Sequence, residues 1–328
     1  MKKVNVLQKQ LVIDLIAEKN LGISEYALEK DFIITDTLKV LSQVEHPQFD
    51  FIFCGGTCLS KAYRLLDRVS EDVDIKVVLK AGVMLSRTKL RSALSELKPV
   101  ITAVLIDAGF DASDIKQSAR DENKYIVFDA YYDTHFVKAT DMRSNLKLEL
   151  NFTRLSLEPN QLEIGLLFKE LGKDLDCSFE FKCVSLREGL LEKLISFPRR
   201  LALYLQDPSR KFDNTLVRHL YDVHQIIASE EGLLQEIEPL QEIMIQKLEQ
   251  DANEFAAQHY EFVVNPMQQL HLAMQFAQTD RKIIDMYQNF MREMVYGEDQ
   301  PSFKMAIDTF SKTLNTLLPS SSLSFVKA

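Results

Sequence analysis

The stretch that most constrains this chain runs from Phe51 to Leu79, FIFCGGTCLSKAYRLLDRVSEDVDIKVVL. Phe51 to Cys54 reads as a short buried strand, Gly55-Gly56-Thr57 as a turn, Leu59 to Leu66 as the start of a helix, and Val73 to Leu79 as a second strand. A glycine pair lets backbone come close to a ligand with no Cβ in the way. A turn at a helix N-terminus also presents free N–H groups and the positive end of the helix dipole, which suits a phosphate. Ser60 and Lys61 add a hydroxyl and a positive charge. Asp72 and Asp74 stand two apart at the start of the second strand, so the strand's period of two sends both carboxylates to one face. They repel there unless a cation lies between them, and hard oxygen ligands favour Mg²⁺. The stretch therefore points to a metal-bound polyphosphate.

The rest of the chain supplies the frame. A length of 328 residues allows two domains or one large one, and 46% hydrophobic with 27% charged residues is the balance of an ordinary globular protein. No apolar run is long enough for a membrane span, and Gln8, Lys9, Gln10 and Asp14 interrupt any targeting core at the N-terminus, so a cytoplasmic protein is expected. Cys54, Cys58, Cys177 and Cys183 have no zinc-like spacing and read as reduced, buried thiols. A net charge of −9 excludes a general nucleic-acid coat, leaving any RNA contact to a local patch.

Two helices are expected over residues 5 to 43, with Leu11, Ile13 and Ile16 and then Ile33, Leu38 and Leu41 at helical spacing, a break at Gly22-Ile23-Ser24, and Ser24 as N-cap. Leu90 to Ala108 reads as a helix ending at Gly109, followed by strands over Tyr125 to Tyr132, Asn145 to Phe152 and Ser178 to Val184. Glu149 lies mid-strand, where a glutamate is unfavourable by propensity. The pattern turns almost wholly helical near residue 184, with one helix over Leu186 to Phe197 stopped by Pro198, another over Thr215 to Ala228, and helices on to Ala328. Between Arg187 and Arg218 seven basic residues face four acidic ones, a net +3 and the best candidate for contact with triphosphate or RNA. Arg218 and Asp222, four apart, share a helix face, and their plain reading is an intrahelical ion pair.

These residues resemble a known family. GGT-x-LSK followed by R-x-SEDVD is similar to the nucleotidyltransferase signature of the DNA-polymerase-β-like superfamily, and more narrowly to the AbiEii/AbiGii type of abortive-infection toxin. Glu29-Lys30-Asp31-Phe32, the EKLISF helix around Lys193, and Arg218-His219-Leu220-Tyr221-Asp222 resemble further elements of that family, with His219 where it usually has aspartate. Glu29 to Phe32 taken alone is an exposed charged turn. Over roughly residues 25 to 230, the resemblance implies a polymerase-β-like α/β domain with a mixed sheet over residues 1 to 184, a helical domain over 185 to 328, and a site in the cleft between them.

The implied reaction moves a nucleotidyl group from an NTP to a hydroxyl, the acceptor being a tRNA 3′ end and the role that of a toxin opposed by a cognate antitoxin. Asp72 and Asp74 would hold Mg²⁺, with Glu149 as third carboxylate, so that metal-free repulsion among the three disfavours the fold. Gly55, Gly56 and Thr57 would cradle the triphosphate. Lys193 would neutralise it, oriented by Asp222, with Arg218 nearby. Rival readings are an adenylyltransferase acting on a protein or small molecule, and a non-catalytic nucleotide-binding subunit.

Overall fold

A computed structural model of the chain describes residues 1–19, 21–138, 142–172, 177–230, 232–256 and 258–318. It divides into two compact units, Met1–Ser185 and Leu186–Ala328.

The first unit is built on seven strands: β1 (Phe49–Cys54), β2 (Asp72–Leu79), β3 (Ile115–Arg120), β4 (Tyr125–Tyr131), β5 (Asn145–Phe152), β6 (Asn160–Ile164) and β7 (Phe179–Cys183). They form one mixed sheet in the order β3-β4-β5-β2-β1-β7-β6. β2 lies between β1, antiparallel to it, and β5, parallel to it. Along these strands Val73, Ile75 and Val77, Leu146, Leu148 and Leu150, and Ile126, Phe128 and Ala130 are buried. The intervening residues, Asp72 and Asp74 among them, therefore belong to the opposite face of the sheet.

Helices α1 (Val6–Glu18), α2 (Glu25–Ser42), α3 (Gly55–Lys61) and α4 (Arg87–Asp107) complete this unit. Ser24 caps α2, its side chain accepting from Ala27 N–H. Several elements depart from the sequence pattern, among them β6, which it did not mark. α1 buries Gln8, Val12 and Leu15 while Ile13 is exposed, so its inward face lies one position away from the Leu11, Ile13 and Ile16 set. α3 takes in the glycine pair as its first turn and ends at Lys61. β3, IKQSAR, is an edge strand with no fully buried residue, so it lacks the apolar alternation that marks a strand.

The second unit is helical: α5 (Leu186–Gln206), α6 (Arg218–Ser229), α7 (Ile237–Glu254), α8 (Tyr260–Val264), α9 (Pro266–Thr279), α10 (Arg281–Met294) and α11 (Phe303–Leu317). α5 does not stop at Pro198 but continues through it. The proline forfeits one intrahelical hydrogen bond, yet Leu194, Ile195, Phe197, Leu201 and Ala202 on either side are all buried, and their packing holds the helix across the break. Phe197 meets Phe310 edge to face with ring centroids 5.3 Å apart. The helical expectation for residues 319 to 328 lies outside the described residues. Cys58 and Cys183 are buried, whereas Cys54 and Cys177 are half-buried.

Candidate active site

The site is built where β1 hands over to α3 and β2 begins. Gly55 has φ +78°, and a Cβ there would overlap the Asp74 carboxylate. A Cβ on Gly56 would overlap the Arg68 guanidinium. Gly55 is thus required by its left-handed backbone as well as by the approach of Asp74, whereas a Cβ at Gly56 would have to displace the tip of the Arg68 side chain. Thr57 is buried, its hydroxyl donating to the Asp72 carbonyl and sharing a 2.8 Å hydrogen bond with Ser70 Oγ. It fastens the first turn of α3 to the start of β2.

Asp72 and Asp74 occupy one face of β2, with Asp74 in register with Cys54 on one side and Glu149 on the other, and Asp72 beside Lys147. Among the described residues Asp72 Oδ1 is buried without a hydrogen bond, and Arg143 Nε stands 3.5 Å from it. Burial pushes the Asp72 carboxyl above the usual aspartate range, Arg143 opposes this, and Glu71 adds to it. A buried carboxylate oxygen with no hydrogen bond, beside a second carboxylate, suits a hard cation. Mg²⁺ commonly takes only one or two protein carboxylates and completes its shell with water and substrate phosphate, so this pair fits it.

Glu149 is engaged elsewhere. It forms an ion pair with Lys147 and accepts a 2.5 Å hydrogen bond from the Tyr125 hydroxyl. Burial first, then this bond, raises the Tyr125 pKa. Among the described residues no three His, Cys, Asp or Glu side chains gather closely enough to hold a metal ion. The expected convergence of Asp72, Asp74 and Glu149 is therefore not assembled here, because Lys147 and Tyr125 already satisfy the glutamate.

Two other expected contacts are redirected inward. Lys61 is 1% exposed, its ammonium paired with Asp31, so its charge is spent in the interior rather than presented to a phosphate. Burial lowers the Lys61 pKa and Asp31 opposes that shift. Ser60 is buried and donates back to the Gly56 carbonyl at 3.2 Å. Glu29, Lys30 and Asp31, which in isolation resemble an exposed turn, are buried in the second turn of α2. Glu29 accepts from Thr134 and from His135 N–H, Lys30 pairs with Glu71 at 2.7 Å, and Asp31 also accepts from Leu167 N–H at 2.8 Å. Burial lowers the Lys30 pKa, and Glu71 opposes this.

In the second unit Lys193 Nζ donates to Asp222 Oδ2 at 2.7 Å, and both residues are buried. Asp222 thus takes a partner from α5, beyond any intrahelical pairing with Arg218, which opens α6 half-buried. The basic excess around them is largely consumed by ion pairs: Arg199 with Asp251 at 2.6 Å, Arg200 with Asp213, and Arg210 with Asp207 at 3.2 Å. It is a scaffold for the helices more than an open basic surface.

The family model described as nucleotidyl transferase AbiEii toxin, type IV toxin–antitoxin system, matches residues 39 to 309. The chain belongs to this family. It is therefore a nucleotidyltransferase, and the match reaches well past residue 230 into helices where the motifs show no resemblance, while Glu29 to Phe32 precede its start. No curated protein matches the chain. Among solved structures, MenT4, a nucleotidyltransferase toxin from Mycobacterium tuberculosis H37Rv, is similar over 68% of this chain and 72% of its own, at 20% identity and a TM-score of 0.39. Among the described residues of this AbiEii-family toxin, no helix is long and apolar enough to cross a membrane.

The pairing of Glu149 reverses one sequence expectation. Glu149→Gln removes a charge that balances Lys147, both side chains being only 20% exposed, so the metal-free melting temperature should fall slightly rather than rise. If Glu149 leaves Lys147 to serve the loaded site, the same variant should bind NTP but lose transfer. Normal transfer at a lowered melting temperature would make it a partner of Lys147 and Tyr125 only.

Proposed function

We propose that this toxin moves a nucleoside monophosphate from an NTP to a hydroxyl of an RNA, a tRNA 3′ end in the first instance, releasing pyrophosphate, with Mg²⁺ held by Asp72 and Asp74. The observation that carries the reading is the buried Asp72 Oδ1, which makes no hydrogen bond among the described residues and is approached only by Arg143 Nε at 3.5 Å, on the same strand face as Asp74 and beside the Gly55-Gly56 turn. Bound Mg²⁺ would supply charge neutralisation for the triphosphate and lower the pKa of the acceptor hydroxyl. Gly55 and Gly56 leave room at that turn, and Thr57 holds it to β2. The RNA acceptor is what the sequence resemblance implies.

The test is incubation of the full chain with each labelled NTP, Mg²⁺, total RNA and an extract of protein. Label in RNA supports the reading. Label in protein or a small molecule moves the acceptor to the rival adenylyltransferase class, and label nowhere makes the chain a binding subunit.

Lys193 is the proposed counter-charge for the triphosphate, with Asp222 orienting it. A charge-assisted contact to phosphate is worth about 1.5–3 kcal/mol, so Lys193→Ala should weaken NTP binding by about tenfold or more. Because it strands Asp222, which is 1% exposed, it should also lower stability. Asp222→Asn breaks the pair but keeps the lysine charge, so it should spare most of the NTP affinity. Equal stability losses in both variants with NTP affinity unchanged would make the pair a helix-to-helix fastening and nothing more.

A further inference from the structure

Arg143 lies two residues before β5, in a stretch with no motif, yet its peptide is held from both sides by buried polar groups. Its N–H donates to Glu71 Oε2 at 2.8 Å. Its carbonyl accepts from Lys30 Nζ at 2.9 Å and from the Tyr26 hydroxyl at 2.7 Å. Lys30 Nζ and Glu71 Oε2 are themselves 2.7 Å apart, and Tyr26, Lys30 and Glu71 are all buried. A buried ion pair is seldom retained for stability alone, since apolar replacement is often neutral or better. Apolar groups, however, cannot satisfy a peptide N–H and C=O. The Lys30–Glu71 pair does so, and because Glu71 immediately precedes Asp72 it fixes Arg143 relative to the aspartate strand.

The side chain so placed is half-exposed, and its Nε lies 3.5 Å from Asp72 Oδ1 and 3.8 Å from Glu71 Oε1. The guanidinium stands over the same oxygen that has no hydrogen bond. It is near enough to neutralise Asp72 and free enough to leave without breaking a bond to it. We propose that Arg143 is a tethered counter-cation for Asp72, positioned by Lys30, Glu71 and Tyr26, that keeps the aspartate pair ready without metal and gives way when a divalent cation binds. This rests on the reading of Asp72 as a metal ligand. It also gives a task to Lys30 and Glu71, two motif residues that touch no substrate in the proposed reaction.

The test titrates Mg²⁺ alone into the full chain, by calorimetry and by the Mg²⁺ dependence of the melting temperature. Arg143→Ala removes a competitor for Asp72 without touching the clamped peptide, so Mg²⁺ should bind about fivefold or more tightly. The metal-free melting temperature should fall and the Mg²⁺-induced gain should grow. Arg143→Lys places an ammonium where the guanidinium carbon lies and should return Mg²⁺ affinity to within about twofold of the parent. Unchanged affinity in Arg143→Ala, or an Arg143→Lys variant that behaves like alanine, overturns the inference. Asp72→Asn separates the two claims. If it leaves Mg²⁺ binding intact, the metal-site reading falls. If it removes binding while Arg143→Ala changes nothing, only the role of Arg143 falls.

Discussion

Asp72→Asn and Asp74→Asn should each abolish nucleotidyl transfer and growth inhibition together, with Mg²⁺-dependent NTP binding lost in the same step. Asparagine keeps the shape of aspartate but removes the charge that would meet the cation, and each position is one half of the only carboxylate pair proposed for it. Losing a metal that stabilises transition-state charge removes several kcal/mol of catalysis, which is a fall of at least about a thousandfold. The Asp72→Asn fold should survive, because Asp72 Oδ1 has no hydrogen bond to lose, only the half-exposed Arg143 contact at 3.5 Å, and its carboxyl is already disfavoured by burial. Assays should compare transfer, NTP affinity with and without Mg²⁺, and the urea midpoint. A folded Asp72→Asn or Asp74→Asn variant with full transfer would refute the metal pair outright.

Asp31→Ala should instead strike stability. It would leave the Lys61 ammonium, 1% exposed, without its carboxylate and would orphan Leu167 N–H as well. Breaking a buried pair by removing one partner typically costs about 3–5 kcal/mol, a large part of what holds most domains folded. Denaturant unfolding of Asp31→Ala should show that loss, or the variant should fail to accumulate. Removing both charges at once, as Asp31→Leu with Lys61→Met, should recover much of it, since apolar replacement of a buried pair is often neutral. If Asp31→Ala unfolds at the parental urea concentration, Lys61 has another way to be solvated and belongs again among the candidate phosphate contacts.

The two halves of the site differ in how far they could be read in advance. The aspartates on β2 were legible because strand alternation is local: residues 72 and 74 share a face whatever the rest of the chain does. The glycine pair was legible as a place of close approach, although the groups that approach are Asp74 and the Arg68 guanidinium. Lys61 was misread because its place depends on Asp31, thirty positions earlier and on another helix, and no local pattern separates a lysine that faces a ligand from one that faces inward. The same applies to Glu29 and Lys30, whose partners Thr134, His135, Glu71 and Arg143 come from distant segments. Arg143 carried no local signal at all. β3 and β6 escaped notice because edge strands need no apolar stripe. Pro198 misled because ring sterics disfavour a helix interior only until enough side-chain burial outweighs them.

The order of strands in the sheet also bears on synthesis. β2 pairs with β1, its near neighbour in the chain, but its other partner is β5, where Asp74 meets Glu149. Chain growth at about 5–20 residues per second separates the emergence of these partners by roughly four to fifteen seconds. During that interval one edge of β2 has no strand to pair with, and the Arg143 clamp does not yet exist. A ribosome-bound chain therefore carries both aspartates several seconds before β5 and Arg143 emerge, and neither the parallel pairing of β2 nor the Arg143 contact to Asp72 can form until then.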